Sequence, residues 1–358
     1  MRILGLDVGG ANLKIAWVEV LKGSIVNCQT AVEYLPMWRG GKDRLPATLR
    51  EVSDALSQGE LPDAIGVTMT AELSDVFESK REGVEYTLQC VRQIYNGIDP
   101  ILVVDYNGEL GTIKAAQQNP LRYSSANWAA TAKVLSGIFA DCLLIDIGST
   151  TTDIIPILNH RIATEGRTDM DRLATGELVY TGALRSDIQS ITHVLPVNGR
   201  ETEVAAERFA LSGDVHLILG NIAPEEYSTE TADGRDTSRQ RCFARLARTV
   251  CAEPEMIGET GLIKMVSYIY DKQVDKIHKR LTNVLRRLNI TPREDMPVVT
   301  TGLGGLFLGR EAAYKSGFRR FYRLEQIVGG ENPQAAAAVS VALLTAAEMG
   351  EIVKWSPS

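Results

Sequence analysis

Two short segments of this 358-residue chain have residue types and spacing suited to holding phosphate. Each places a carboxylate at the end of an apolar run and follows it with glycine and small polar residues. One runs from Asp7 through Gly9, Gly10, Ala11 and Asn12; the other runs from Asp146 through Gly148, Ser149, Thr150, Thr151 and Thr152. A tight turn of that composition points successive backbone N–H groups into one concavity, which suits phosphate oxygens. The carboxylate ahead of the turn suits a cation, and magnesium prefers carboxylate and phosphate oxygens while keeping several waters. Asp7 and Asp146 are therefore the candidate magnesium ligands and catalytic carboxylates. Gly9, Gly10, Asn12, Gly148, Ser149, Thr150, Thr151 and Thr152 are the candidate phosphate-binding positions. Lys14 joins them if its strand register points it inward, as do Gly302, Gly304 and Gly305 of "TGLGGLFLG". Asp105, after another apolar run, is a third candidate catalytic carboxylate.

Each of these residues has a structural reading beside the chemical one. A single Asp-x-Gly-Gly turn is more often an ordinary hairpin, although two copies shift the balance. Lysines usually keep their heads in water, which favours Lys14 as a solvated strand residue. The three glycines near 302 suit close packing of strand on helix as well as they suit close approach of a ligand.

Strands are needed to position such turns, and the hydrophobic pattern supplies them. Arg2–Val8 and Leu13–Val18 read as strands joined by a Gly-Gly turn, Ala64–Thr68 as a third, and Ile101–Asp105 as a fourth before a helical stretch from Gly108. The event repeats later, with strands at Cys142–Asp146 and Asp153–Leu158 around the second turn. That internal repeat predicts an α/β protein of two related lobes with Asp7 and Asp146 facing a central cleft. The expected organisation is a first lobe over 1–138, a second over 139–333, and a terminal helix in 334–358 packing back on the first. Residues 161–241 are polar and irregular, with many charges and few long apolar runs, and read as an insertion shaping a substrate site. From Leu262 to Leu288 the spacing of Ile263, Val266, Ile269, Val274, Ile277, Leu281 and Leu285 predicts an amphipathic helix. Pro297–Thr301 reads as a strand, and an apolar helix follows "GGENPQ".

Composition bounds the function. With 44% hydrophobic and 23% charged residues the chain can bury two ordinary cores. A formal net charge of −7 gives no reason to expect nucleic acid or an anionic membrane as partner, so an anionic ligand must be held locally. The first residues carry no leader pattern, which predicts a cytoplasmic protein. The apolar stretch Ala335–Ala347 is too short to span a bilayer. Five cysteines without a C-x-x-C pair and four histidines without ligand spacing predict free thiols and no zinc. A homo-oligomer is left open.

The two Asp-Gly turns, together with "VVTTGLGG", resemble the phosphate and nucleoside motifs of the acetate and sugar kinase, heat-shock protein and actin superfamily over nearly the whole chain. "DIGSTTTDI" is most similar to its hydantoinase/oxoprolinase branch. More narrowly, "MTAELSD", "SANWAATA" and "EGRTDMDRLATGELVYTGALRS" resemble a small family encoded with tetrahydromethanopterin-linked one-carbon pathways, which includes ether-forming enzymes of methanofuran biosynthesis. The resemblance implies a two-lobed actin-like, ribonuclease H-like ATPase-type fold with a duplicated domain. It also implies a transferase joining a furanylmethyl group, from (5-(aminomethyl)furan-3-yl)methyl diphosphate, to the phenol oxygen of a tyramine- or tyrosine-type acceptor. Diphosphate would leave with Mg2+ and without ATP, in methanofuran or methylofuran biosynthesis. Within Glu165–Arg185 the candidate substrate residues are Arg167, Asp169 and Thr175, a purely structural segment being the other reading. The first turn lacks the Ser or Thr that many kinase relatives carry after the glycines, which favours diphosphate binding over ATP hydrolysis. Two alternatives stay open: an ATP-dependent small-molecule kinase or hydrolase, and a nucleotide-binding scaffold. No general base is assigned beyond Asp105.

Overall fold

The computed structural model describes residues 1–330 and 332–353. Six strands build the first sheet: β1 (Arg2–Val8), β2 (Asn12–Leu21), β3 (Ser24–Tyr34), β4 (Ala64–Met69), β5 (Ile101–Val104) and β6 (Leu110–Thr112). Their order is β3-β2-β1-β4-β5-β6, parallel at β1/β4 and β4/β5 and antiparallel elsewhere. Eight further strands follow: β7 (Cys142–Ile147), β8 (Thr152–Leu158), β9 (Arg161–Ile162), β10 (Leu178–Val179), β11 (Val194–Val197), β12 (Arg200–Glu203), β13 (Pro297–Thr301) and β14 (Arg320–Arg323). The second sheet has the order β10-β8-β7-β13-β14 with β9 on β8, and β11 and β12 form a separate hairpin. The chain divides into two compact units. One comprises Met1–Leu144, Ile155–Arg172 and the stretch from Tyr322; the other comprises Ile145–Ile154 and Leu173–Phe321.

In the first unit, Leu4, Leu6 and Val8 of β1 pack with Ile65 and Val67 of β4 and with Leu45, Leu49, Val84 and Leu88 from the helices Gly41–Ser57 and Lys80–Ile94. The apolar helix Ala336–Glu348 also packs on β1, β2 and β4. Its closeness depends on glycine, because a Cβ on Gly5 would come within 2.0 Å of the Ala338 carbonyl oxygen. Small residues on both elements let backbone meet backbone where larger side chains would hold the layers apart.

Three sequence expectations change in the structure. The chain after Gly108 first forms β6, pairing with β5, and turns helical only at Ile113–Gln118, where the Thr112 hydroxyl accepts from the Ala115 N–H. Within 161–241 there is regular structure, including the helices Asp169–Thr175 and Ser212–Leu219. Its charges are partly internal: Asp214 is fully buried, its Oδ1 2.6 Å from Nη2 of the equally buried Arg245, which lies just beyond the region on the helix Arg239–Arg248. The long helix runs Glu259–Arg287, and Leu262 and Met265 lie on its buried face while Ile263 is 39% exposed. Among the described residues no helix is long and apolar enough to cross a membrane.

Candidate functional site

The first turn is a hairpin between β1 and β2. Gly9 N–H donates to the Asn12 carbonyl at 3.0 Å, while the carbonyls of Gly10 and Ala11 accept from Met37 and Leu35 N–H. Asp7 and Lys14 are register partners across β1 and β2, which points both side chains to one face of the sheet. Lys14 Nζ lies 2.7 Å from Asp7 Oδ2, and Asp7 is 1% exposed. Lys14 is therefore a buried carboxylate's counter-ion and not a solvated strand residue. Three buried oxygens around this turn have no hydrogen-bond partner among the described residues: Asp7 Oδ1, Asn12 Oδ1 and Thr68 Oγ1. Thr68 is the β4 register neighbour of Asp7. Buried polar atoms are seldom left unpaired without a functional reason, and hard oxygen donors suit magnesium. Among the described residues no group of three or more His, Cys, Asp or Glu could hold a metal. A magnesium ion here would thus need phosphate and water for most of its ligands, in keeping with its usual chemistry.

The second turn repeats the first in backbone terms, Gly148 N–H donating to the Thr151 carbonyl at 3.0 Å. It is braced from behind: Ala183 N–H donates to the Gly148 carbonyl, and both Leu184 and Arg185 N–H to that of Ser149. The Thr152 hydroxyl donates to the Thr181 carbonyl at 2.8 Å. The brace is itself held by Gln273, whose amide nitrogen reaches Thr181 Oγ1 and the Gly182 carbonyl, and whose Oε1 lies 3.0 Å from Nε2 of the fully buried His216. These bonds leave the N–H groups of Ser149, Thr150 and Thr151 outside the brace. Gly302, at φ +76, lies against the carboxylate, since a Cβ there would fall 2.6 Å from Asp146 Oδ1. Gly304 N–H donates to the Ile147 carbonyl, and Gly305 N–H to that of Gly302. Gly302 and Gly304 thus pack closely on the end of β7.

The other candidates make contacts of their own. Asp105 is buried and engaged at both oxygens: Oδ2 with Arg122 Nε at 2.6 Å, and Oδ1 with the N–H groups of Asn107 and Glu109. That geometry organises the β5–β6 turn. Arg167 lies over the Tyr106 ring at 5.6 Å and lines a cavity of about 380 Å³ with Asn107, Lys133, His160 and Arg161. Asp169 pairs with Lys80 at 2.9 Å. The Thr175 carbonyl accepts from Arg287. Arg167 and Asp169 belong to the first unit and Thr175 to the second.

One residue with no assigned chemistry in the sequence stands out. Glu72 follows β4 on the short 3-10 turn Ala71–Leu73 and is 2% exposed. Its Oε1 accepts from Ser125 Oγ at 2.7 Å, while Oε2 is buried without a partner among the described residues. Burial pushes its carboxyl above the usual 4.5; the Ser125 hydrogen bond and the Lys80 charge pull the other way. In sequence, the resemblance of "MTAELSD" to a family segment was the available signal for it.

A hydantoinase/oxoprolinase family model matches residues 63–346. The chain is 37% identical over 303 residues to the (4-{4-[2-(γ-L-glutamylamino)ethyl]phenoxymethyl}furan-2-yl)methanamine synthase of Methanocaldococcus jannaschii, covering 84% of this chain and 86% of that one. It is 32% identical over 171 residues to the protein of the same name from Methanococcus vannielii, covering 48% and 74% respectively. Among solved structures, nucleotide-free acetone carboxylase is similar at a TM-score of 0.56 and 12% identity, over 96% of this chain and 70% of that one. At that identity the likeness shows the fold, and the actin-like α/β class expected from the sequence is borne out.

Proposed function

Because this chain belongs to the hydantoinase/oxoprolinase family, and is similar over 84% of its length to a protein named as a furan–phenyl ether synthase, we propose that it is an ether-forming transferase of methanofuran or methylofuran biosynthesis. It would join the furanylmethyl group of (5-(aminomethyl)furan-3-yl)methyl diphosphate to the phenol oxygen of a tyramine- or tyrosine-type acceptor. Diphosphate leaves. What carries this assignment is the extended match to the named synthases. The two glycine-rich hairpins, each with a carboxylate ahead of it, support it chemically. We read the protein as a cytoplasmic enzyme of small molecules.

The chemistry suits such a site. A furan shares the positive charge that develops on its exocyclic carbon as the diphosphate departs, so the chief demand is stabilisation of the leaving anion. The N–H groups and hydroxyls of Ser149, Thr150 and Thr151 are the proposed donors on the second turn. Lys14 is proposed to move its ammonium from Asp7 to a diphosphate oxygen when substrate arrives. Asp7 and Asp146 are the proposed magnesium carboxylates. Bound there, the ion would supply charge neutralisation to the leaving diphosphate. Asp105, being saturated by Arg122 and two N–H groups, is proposed to shape its loop and to influence the site through it.

Incubation of the purified protein with the furan diphosphate and tyramine-type acceptors, in magnesium and without nucleotide, tests this. Ether and inorganic diphosphate should form together. A strict requirement for ATP with stoichiometric ADP would favour a kinase or hydrolase, and absence of any product would favour a scaffold.

A further inference from the structure

A phenol has a reference pKa near 10, so its attack at neutral pH calls for a group to take the proton. Two of the segments that resemble the ether synthases, 69–75 and 125–132, meet the start of the third, 165–172, inside the first unit. Glu72 comes from the first, Ser125 from the second and Asp169 from the third, with Lys80 reaching both Ser125 Oγ at 3.5 Å and Asp169 Oδ2 at 2.9 Å. Resting on the transferase reading, we propose that Glu72 accepts the phenol proton, relayed through the hydroxyl of Ser125.

The position suits that task. β1 and β4 are parallel, pair at Asp7 with Thr68 and Val8 with Met69, and end together. The crevice outside such strand ends is where ligands of α/β sheets bind. Thr70 links the two regions: its N–H donates to the Val8 carbonyl at 2.9 Å, and a Cβ on Gly9 would lie 3.6 Å from its hydroxyl. Glu72 is therefore only two residues along the chain from a residue that touches the first phosphate turn.

The chemistry of the cluster suits it too. An ionised carboxylate with one oxygen buried and unpartnered is a poorly solvated anion, and protonation relieves it. Lys80, at the start of helix Lys80–Ile94, and Asp169, at the start of helix Asp169–Thr175, are the charged groups acting on Glu72, and their opposite signs offset. Lys80 and Asp169 are 28% and 18% exposed, while Ser125 is 7% exposed, so the cluster opens outward through this pair. In the proposed step the acceptor hydroxyl displaces Lys80 from Ser125 Oγ. The phenol oxygen bonds to the furanyl methylene carbon as the carbon–oxygen bond to diphosphate breaks and its electron pair leaves with diphosphate. The phenol proton passes to Ser125 Oγ, the Ser125 proton passes to Glu72 Oε1, and Glu72 later returns it to solvent.

Acceptors of different acidity test the relay. Glu72→Gln and Ser125→Ala are assayed with tyramine-type phenols and with a ring-polyfluorinated tyramine already ionised at the assay pH. With the ordinary phenol, kcat for Glu72→Gln should fall by about 10²- to 10⁴-fold, the usual range for a lost general base. With the ionised phenol both variants should retain activity within about tenfold of wild type. Equal losses with both acceptors, or no loss with either, would overturn the relay. If Glu72→Gln does not fold, wild type decides: kcat/KM should rise with pH for the ordinary phenol and stay flat for the ionised one, and the same rise for both would overturn it. A wild-type protein that makes no ether from either acceptor would overturn the transferase reading, and the relay with it.

Discussion

Lys14 Nζ sits 2.7 Å from Asp7 Oδ2, and the other oxygen of that buried carboxylate has no partner among the described residues. One oxygen of Asp7 is thus paired with a cation within the protein, and the other is buried and proposed to meet the ligand. Lys14→Met should leave an uncompensated buried charge and destabilise the protein by about 3 kcal/mol in urea unfolding, the range for breaking a buried pair. Asp7→Asn removes that charge and should be milder in stability. It should nevertheless lose at least tenfold in kcat for diphosphate release, with acceptor KM little changed. Full activity in Asp7→Asn would remove Asp7 from the site.

His216 should make stability depend on pH. Burial holds its imidazole at about 4, against an ordinary 6.5, with the Gln273 hydrogen bond opposing. Between those values the unfolded chain binds a proton that the folded one does not, so this stability is present above about 6.5 and is lost as pH falls toward 4. The full effect is on the order of 3 kcal/mol. Urea unfolding of His216→Gln across that window should show a flatter profile than wild type, and an unchanged profile would contradict the assignment.

Glu72 contributes with the opposite sign. Its folded carboxyl is raised above the usual 4.5 by burial, so its contribution is full below that value and declines as pH rises through the folded-state value. Glu72→Gln should therefore gain stability over wild type at pH 8 and little at pH 4. A variant less stable than wild type at both pH values would mean that the carboxyl serves packing alone.

The glycine contact beneath the Ala336–Glu348 helix is a purely mechanical case. Gly5→Ala places a Cβ where the Ala338 carbonyl oxygen now lies, and should cost about 1–3 kcal/mol as the layers separate. Thermal or urea unfolding that matches wild type would show that the helix can shift without loss.

The sequence made the repeated hairpins legible because each combines an apolar run with a glycine turn, and those are local signals. The long helix was legible for the same reason, its buried positions recurring every three or four residues. Lys14 was not, because a lysine in a strand looks solvated until its register partner is known to be Asp7. Residues 161–241 looked irregular because their polarity is satisfied over long separations, as with Arg245 and Asp214. Glu72 was hidden likewise: Ser125 lies far along the chain, and a carboxylate with a raised pKa is written in no local pattern. Gly302 was ambiguous in sequence and becomes clear only once Asp146 is seen against it.

The most direct measurement is the stoichiometry of what leaves the active site. With purified protein, magnesium, the furan diphosphate and a tyramine-type acceptor, one inorganic diphosphate should appear for each ether formed, with no nucleotide present. Chelation of the metal should stop release, and Asp146→Asn should lose most of kcat while acceptor KM moves little. Ether formation that depends strictly on ATP and yields ADP in equal amount would contradict the account, while leaving the fold as described.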